Sequence, residues 1–470
     1  MRMTSRLTAL TTMVITGLST VVAAAAPASA IPALASSTPT APGTRSAAPG
    51  TKLWASRFQG LKGFTQPAAM AASPNGADVF ITGFAQAPKG HNRYATVGYN
   101  ALTGAKLWSS VFHQGPKRDN SEADDVLVSS DSSTVFVTGG TPEGIATVAY
   151  DAATGAKLWV TDSSAGQAGT GLAVSADGKT LFVAAWGFNQ GTGGFDYVTL
   201  AYSAASGTLL WTAPYSSNSV AAGTTTPQVA VSPDGSAVFL RGETINSDLT
   251  IAYNPTTGKQ LWAQLFSGLG QTDSASMVVS PDSSRVFVTG ESRSTTSALF
   301  SYATVAYDAR TGARQWVRYD PGLSSQIGRT GATSIAIKPD GTAVFVTGEN
   351  TGANGTGGYS TVAYDAATGA KLWQQDYFAN GQGGQASFAG VSPNGSEVFV
   401  TGLTNGVHFA TLAYNSTSGA KLWSTVARHA ICASVVAAVN PTTPEVMVNG
   451  TCAARTSAGA QGYLTVAYSG

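Results

Sequence analysis

Along most of the chain, apolar and small polar residues alternate. Segments such as TVFVTG (134–139) and ATVAYD (146–151) put Val, Phe, Thr and Tyr in the period-2 pattern of strands with one buried face. Two kinds of turn punctuate them. In SPDG or SPNG, as at 232–235 and 73–76, Pro presets one dihedral and Gly accepts positive φ. In DAATG, as at 151–155, the Asp side chain can bond the turn's own N–H groups and Gly again takes the left-handed position. The pattern predicts units of four short strands, about 50 residues each.

The units repeat almost word for word. TVAYDAATGAKLW stands at 147–159 and, unchanged, at 361–373; relatives at 96–108, 199–211, 250–262, 304–316 and 411–423 bring the copies to seven. A second phrase, as in SPDGSAVFLRG (232–242), SPDSSRVFVTG (280–290) and KPDGTAVFVTG (338–348), occurs eight times, the last as NPTTPEVMVNG (440–450). The termini supply the missing copy. YLTVAYSG (463–470) is the first half of the phrase and GTKLW (50–54) the second half. The expected fold is therefore all-β, an eight-bladed β-propeller of four-stranded antiparallel blades over 51–470, closed by the N-terminal strand completing the last blade. Trp54, Trp108, Trp159, Trp211, Trp262, Trp316, Trp373 and Trp423, spaced 50 to 57 apart, each fall in a fourth strand and are expected to wedge against the neighbouring blade.

Ala149, Asp151, Thr154, Gly155 and Trp159 form a pattern that resembles the tryptophan-docking motif of the pyrroloquinoline quinone (PQQ)-type propeller repeat, here of the bacterial secreted kind. The resemblance covers essentially all of 51–470. Eight such blades form the ring of quinoprotein dehydrogenases, and the resemblance implies, as an alternative to a binding role, a PQQ- and Ca²⁺-dependent oxidoreductase. Those enzymes hold the quinone between a tryptophan floor and a ring formed by two adjacent cysteines, with calcium on Glu, Asn and Asp and an Asp as base. This chain departs from that set, since its two cysteines, Cys432 and Cys452, are not adjacent.

Both cysteines lie about ten residues from the centre of the NPTTP turn (440–444), so antiparallel pairing sets them opposite each other and a disulfide is expected. Export is expected from the N terminus. Arg2 and Arg6, the apolar run LTALTTMVITGLSTVVAAAA and the ASA ending at Ala30 match a signal peptide over 1–30. Residues 31–50, rich in Pro, Ala, Ser and Thr, read as a flexible linker. The localisation expected is secreted. Loss of Arg2 and Arg6 from 26 basic residues against 25 acidic ones leaves a formal charge of −1, and only 11% of residues are charged, which argues against nucleic acid or an anionic membrane as partner. No second long apolar run suggests membrane insertion after cleavage, and a monomer is expected.

The repeat places SPDG and DAATG turns on one rim, where Asp151, Asp308 and Asp365 are turn formers. The opposite rim collects loops of differing length, where binding residues usually sit. There, at equivalent places after the second strand, stand Trp186, Glu243, Glu291 and Glu349, with Arg241 and Arg293 near. Two arrangements are open: a ligand or cation site with Trp186 as a stacking face and carboxylates for Ca²⁺ or acid–base work, or a repeat consensus with solvated or Arg-paired carboxylates. His91, His113, His408 and His429 fall on the same rim; His113 and His429 are further ligand candidates, but no zinc spacing occurs. The charged segment HQGPKRDNSEADD (113–125) belongs to this rim too. No nucleophile elbow, phosphate loop or dinucleotide fingerprint is present. The function expected is extracellular binding or scaffolding of a glycan, peptide, protein or small molecule; a carboxylate- and histidine-based hydrolase or lyase is the other enzymatic alternative.

Overall fold

A computed structural model describes residues 47–60, 64–87, 90–113, 120–189, 194–216, 226–244, 247–294, 300–321, 331–352, 356–378, 383–405, 408–427, 430–454 and 461–470. The signal segment 1–30, the linker up to residue 46 and His429 lie outside them. Among the described residues thirty-two strands form eight four-stranded antiparallel blades. Blades 1 to 7 span 65–112, 122–163, 168–216, 228–266, 270–321, 331–377 and 384–427. Blade 8 takes three strands from 430–469 and its outermost strand, Lys52–Phe58, from the other end of the chain. One bridge, Ala168 to Gly140, links the sheets of blades 2 and 3.

The blades pack face to face, and each seam has its own buried cluster, such as Phe239, Trp262, Val288 and Tyr307 between blades 4 and 5. The tryptophans do the wedging. Each indole lies on the positive-φ glycine of the next blade's outer turn, Trp54 on Gly104, Trp262 on Gly312 and so on round to Trp423 on Gly50. Seven of them donate from Nε1 to a carbonyl of that turn, as Trp54 does to Ala101 at 2.6 Å and Trp316 to Ala366 at 3.1 Å. Only glycine fits beneath: a Cβ on Gly312, where φ is +73°, would lie 2.7 Å from Trp262 Cδ2.

Closure repeats the local chemistry of a covalent turn without the covalent bond. In blade 2 the turn is held by Gly155 N to Asp151 O and Asp151 N to Ala156 O, both 2.8 Å. In blade 8 the same places are filled by Gly50 N to Ser469 O at 2.8 Å and Ser469 N to Thr51 O at 3.0 Å. Cys432 and Cys452 pair directly in the same blade and form the disulfide.

Each blade is also tied internally. In five blades a threonine on the second strand bonds one on the third: Thr82 to Thr96, Thr138 to Thr147, Thr289 to Thr304, Thr347 to Thr361 and Thr401 to Thr411, all 2.9–3.1 Å. Asn449 substitutes in blade 8, donating to Thr465 Oγ1. Blades 3 and 4 depart, with Ala184 and Arg241 in the first position.

The two rims differ as the repeat predicts. On one, every turn within a blade has five or six residues; on the other, the links between blades run from two residues (428–429) to eleven (217–227).

Candidate functional site

The second strands run further into the variable rim than the alternation suggests. Trp186 lies inside Thr180–Asn189, Glu291 inside Arg285–Ser294 and Glu349 inside Ala343–Thr351, while Glu243 ends Val238–Glu243. Their side chains are thus directed by strand geometry toward the faces of the blades. The three glutamates occupy three different places. Glu291 packs in the seam between blades 5 and 6, where a Cβ on Gly331 would meet its Oε2 at 2.7 Å. Glu349 lies on the side of blade 6 toward blade 7: a Cβ on Gly357 would stand 3.6 Å from its Oε1 and 3.4 Å from Gly384 O of blade 7.

Glu243 is fully buried with Arg241 and Asp248 in blade 4. Here the shortened inner strand Gln228–Val231 leaves the rim half of the blade to polar groups. The Arg241 guanidinium donates from Nη2 to Thr226 O at 2.8 Å, and Glu243 pairs in register with Asp248. Burial pulls the Arg241 pKa down, and the charges of Glu243 and Asp248 push it back up. Tyr197 of blade 3 completes the arrangement: its hydroxyl donates to Glu243 O at 2.9 Å and accepts from Glu243 N at 2.8 Å. This cluster sets one buried cation beside two buried carboxylates and clamps blade 3 to blade 4.

Trp186 is half-buried and its ring partner is Phe195, 5.5 Å away, which in turn meets Phe188 edge-on at 5.4 Å. Arg293 is exposed and its guanidinium lies over Phe300 at 5.3 Å. His113 is half-buried at the start of its inter-blade link. Among the described residues no three His, Cys, Asp or Glu side chains come together as a metal site.

The charged segment 113–125, expected on the variable rim, enters blade 2 at its C-terminal end and forms an acidic seam there. The inner strand Glu122–Val128 carries Glu122, Asp124 and Asp125. Asp125 is fully buried and accepts from Val126 N at 2.8 Å and from Leu172 N of blade 3 at 2.7 Å. Burial holds its carboxyl well above the usual range against the pull of those two N–H groups, with Asp124 adding to the rise. Asp124, at a bulge, is pushed up to about 8 by burial and then by Glu122. Ser334 does the equivalent work in blade 6, its hydroxyl accepting from Ala389 N of blade 7 at 3.1 Å. Counting back from the SPDG-type turns places Asp125 and Ser334 at the same point of the repeat, a signal present in the sequence.

The residues described do not assemble the set that a calcium–quinone pair would require. The cysteines are bonded across two strands and buried in blade 8, and the acidic candidates are distributed over separate seams. The fold and its tryptophan seams define a PQQ-like eight-bladed propeller. The family described as outer membrane protein assembly factor BamB matches residues 93–331 and 194–438, together more than two thirds of the sequence, and the chain belongs to that family. No curated protein matches it in sequence. Among solved structures it is similar to the Dos1 propeller, at 13% identity over 88% of this chain and 94% of that chain with TM-score 0.57. It is also similar to quinohemoprotein alcohol dehydrogenase from Comamonas testosteroni, at 12% identity over 89% and 76% with TM-score 0.53. A third is Kuenenia stuttgartiensis hydrazine synthase, at 15% identity over 79% and 97% with TM-score 0.51. At such identities these likenesses concern the fold alone.

Proposed function

We propose that this chain is an exported scaffold that holds a protein partner on its variable rim. The observation that carries the reading is the contrast between rims: five or six residues in every turn on one side, two to eleven in the links on the other. A fixed ring with varied loops on a single face is the usual form of a binding surface. The charged and aromatic candidates of that rim are largely engaged in seams and ring contacts, which suits recognition by shape and loop chemistry. The family description, an assembly factor, points the same way. Export is supported by the disulfide, and no helix among the described residues is long and apolar enough to cross a membrane. Residues 48–51 are bonded to Ser469 at the uniform rim, opposite the proposed binding surface.

The test exchanges loops. Replacing links 113–121 and 217–227 with the short link 267–269 is expected to abolish capture of a partner from the extracellular and envelope proteins of the source cells. Equal changes to the uniform turns are expected to preserve it. Capture that survives the rim exchange overturns the reading. Addition of PQQ and Ca²⁺ is expected to leave the melting temperature unchanged; a saturable rise would instead favour the quinone-dependent oxidoreductase.

A further inference from the structure

Six blades carry Lys or Arg two residues before the seam tryptophan, and what meets that cation differs from seam to seam. The fourth residue after the tryptophan of the preceding blade decides it. Between blades 5 and 6 this residue is Asp320, and Lys371 Nζ donates to its buried Oδ2 at 2.8 Å. Between blades 1 and 2 it is Phe112, with Lys157 Nζ over the ring at 5.6 Å. Between blades 8 and 1 it is Phe58, which is buried against Tyr463, 5.5 Å away. Lys106 is left exposed, with no acidic or aromatic partner among the described residues. Beside it lies a cavity of about 340 Å³ between the outer strands Lys52–Phe58 and Lys106–Phe112. Arg57 lines it from blade 8 and Lys106 from blade 1, Gln59 and Ser109 add polar groups, and no acidic residue belongs to the wall. The Arg57 guanidinium makes a long bond from Nη1 to Cys452 O at 3.4 Å. Arg57 is the only basic residue three places after a seam tryptophan in the eight units, so this pair of cations occurs in one seam alone.

We propose that this cavity binds a small hydroxylated carboxylate of sugar-acid size. The pair of Lys371 and Asp320 shows which ion this place in the repeat accepts, a carboxylate that the chain itself supplies there. Between blades 8 and 1 the ligand supplies it. Lys106 and Arg57 then share the carboxylate oxygens through charge-assisted hydrogen bonds, while Gln59 and Ser109 meet hydroxyl groups on the remainder. The volume is at the lower end of the roughly 300–1,000 Å³ of small-molecule sites, which suits a single sugar-acid unit. Both cations stand in solvent, so the affinity is weak, in the millimolar range. The cavity uses neither link 113–121 nor link 217–227 and so stands apart from the partner surface proposed above.

Saturation-transfer NMR of the purified chain with D-glucuronate tests this, with D-glucose as the uncharged control. Glucuronate is expected to bind saturably and at least ~10-fold more tightly than glucose. Lys106→Gln and Arg57→Gln are each expected to weaken it at least ~5-fold while circular dichroism and melting temperature stay unchanged. Lys421→Gln, at the same place in blade 7, is expected to leave binding as it was. Val111→Glu, on an exposed side chain of the cavity wall, brings a carboxylate from within the chain and is expected to abolish binding. No saturation up to about 20 mM overturns the proposal, as does binding that the Lys106 and Arg57 variants both leave intact. Displacement of glucuronate by an equal concentration of sulfate overturns the assignment to a carboxylate.

Discussion

Gly50 lies flat beneath the indole of Trp423: with φ at +76°, a Cβ on it would stand 3.0 Å from Trp423 Cδ2. The contact joins the start of the described chain to blade 7 and is the last of eight equivalent seams. It differs from the others in one respect. Trp423 Nε1 is buried and has no acceptor among the described residues, whereas Trp262 Nε1 donates to Ala309 O at 3.0 Å. Replacement by Phe is therefore expected to separate the two sites. Trp262→Phe leaves a buried carbonyl without its donor and is expected to cost about 1–2 kcal/mol. Trp423→Phe gives up the same ring packing but no bond and is expected to cost less than Trp262→Phe, while Trp→Ala at either site costs about 3–5 kcal/mol. Denaturant midpoints of the four variants decide it.

The same blade that closes the ring holds the disulfide. Cys432 and Cys452 are buried and face each other across the first two strands, closing a loop of 20 residues. Cys432→Ala with Cys452→Ala is expected to lower stability by about 3 kcal/mol, since the unfolded chain regains the freedom of that loop. Because blade 8 is stitched from both ends, the loss is expected first there. Hydrogen exchange in the double variant should accelerate in 430–469 and 52–58 ahead of blades 2 to 6. Uniform acceleration would contradict it.

The architecture was legible because a propeller writes the same packing problem eight times. Trp, turn Gly and alternating Val and Thr recur wherever one blade meets the next, so the count, the closure and the cysteine pairing all follow from aligned phrases. The candidate site was less so. Glu243, Glu291 and Glu349 share a place in the repeat, yet their surroundings depend on what the next blade offers: Gly331 beside Glu291, Gly384 near Glu349, and for Glu243 a charged partner within its own blade. Arg241 stood in the text as VFLRG among VFVTG neighbours. Its meaning needed Asp248 opposite Glu243, a pairing across strands that the linear pattern does not display.

That exception yields a prediction of its own. Arg241→Thr recreates the residue that most other blades carry and sets a threonine hydroxyl beside Thr250, so the repeat consensus alone would call it stabilising. The buried carboxylates of Glu243 and Asp248 say otherwise, since they lose their cation in a place without solvent. The expected result is a loss of about 3–5 kcal/mol. Adding Glu243→Gln and Asp248→Asn to Arg241→Thr should recover most of it, and failure of the triple variant to recover would mean that Arg241 acts through packing instead of charge.

Asp125 ties blades 2 and 3 and makes stability depend on pH in an uncommon direction. Folded, its carboxyl is held well above the ordinary range by burial; unfolded, it returns to about 4. Between those values the folded chain keeps a proton that the unfolded chain releases, so this group's contribution to stability is fully present in acid and declines as pH rises toward the folded value. Asp125→Asn has no proton to exchange. It forfeits one of the two acceptors now used by Val126 and Leu172, a constant offset of about 1–2 kcal/mol, and the slope carries the prediction. Measured at pH 5, 6, 7 and 8 in one salt concentration, the melting temperature of the variant should gain steadily on that of the natural chain as pH rises. A difference that stays constant or shrinks would show that Asp125 is ionised in the fold, its two N–H partners prevailing over burial.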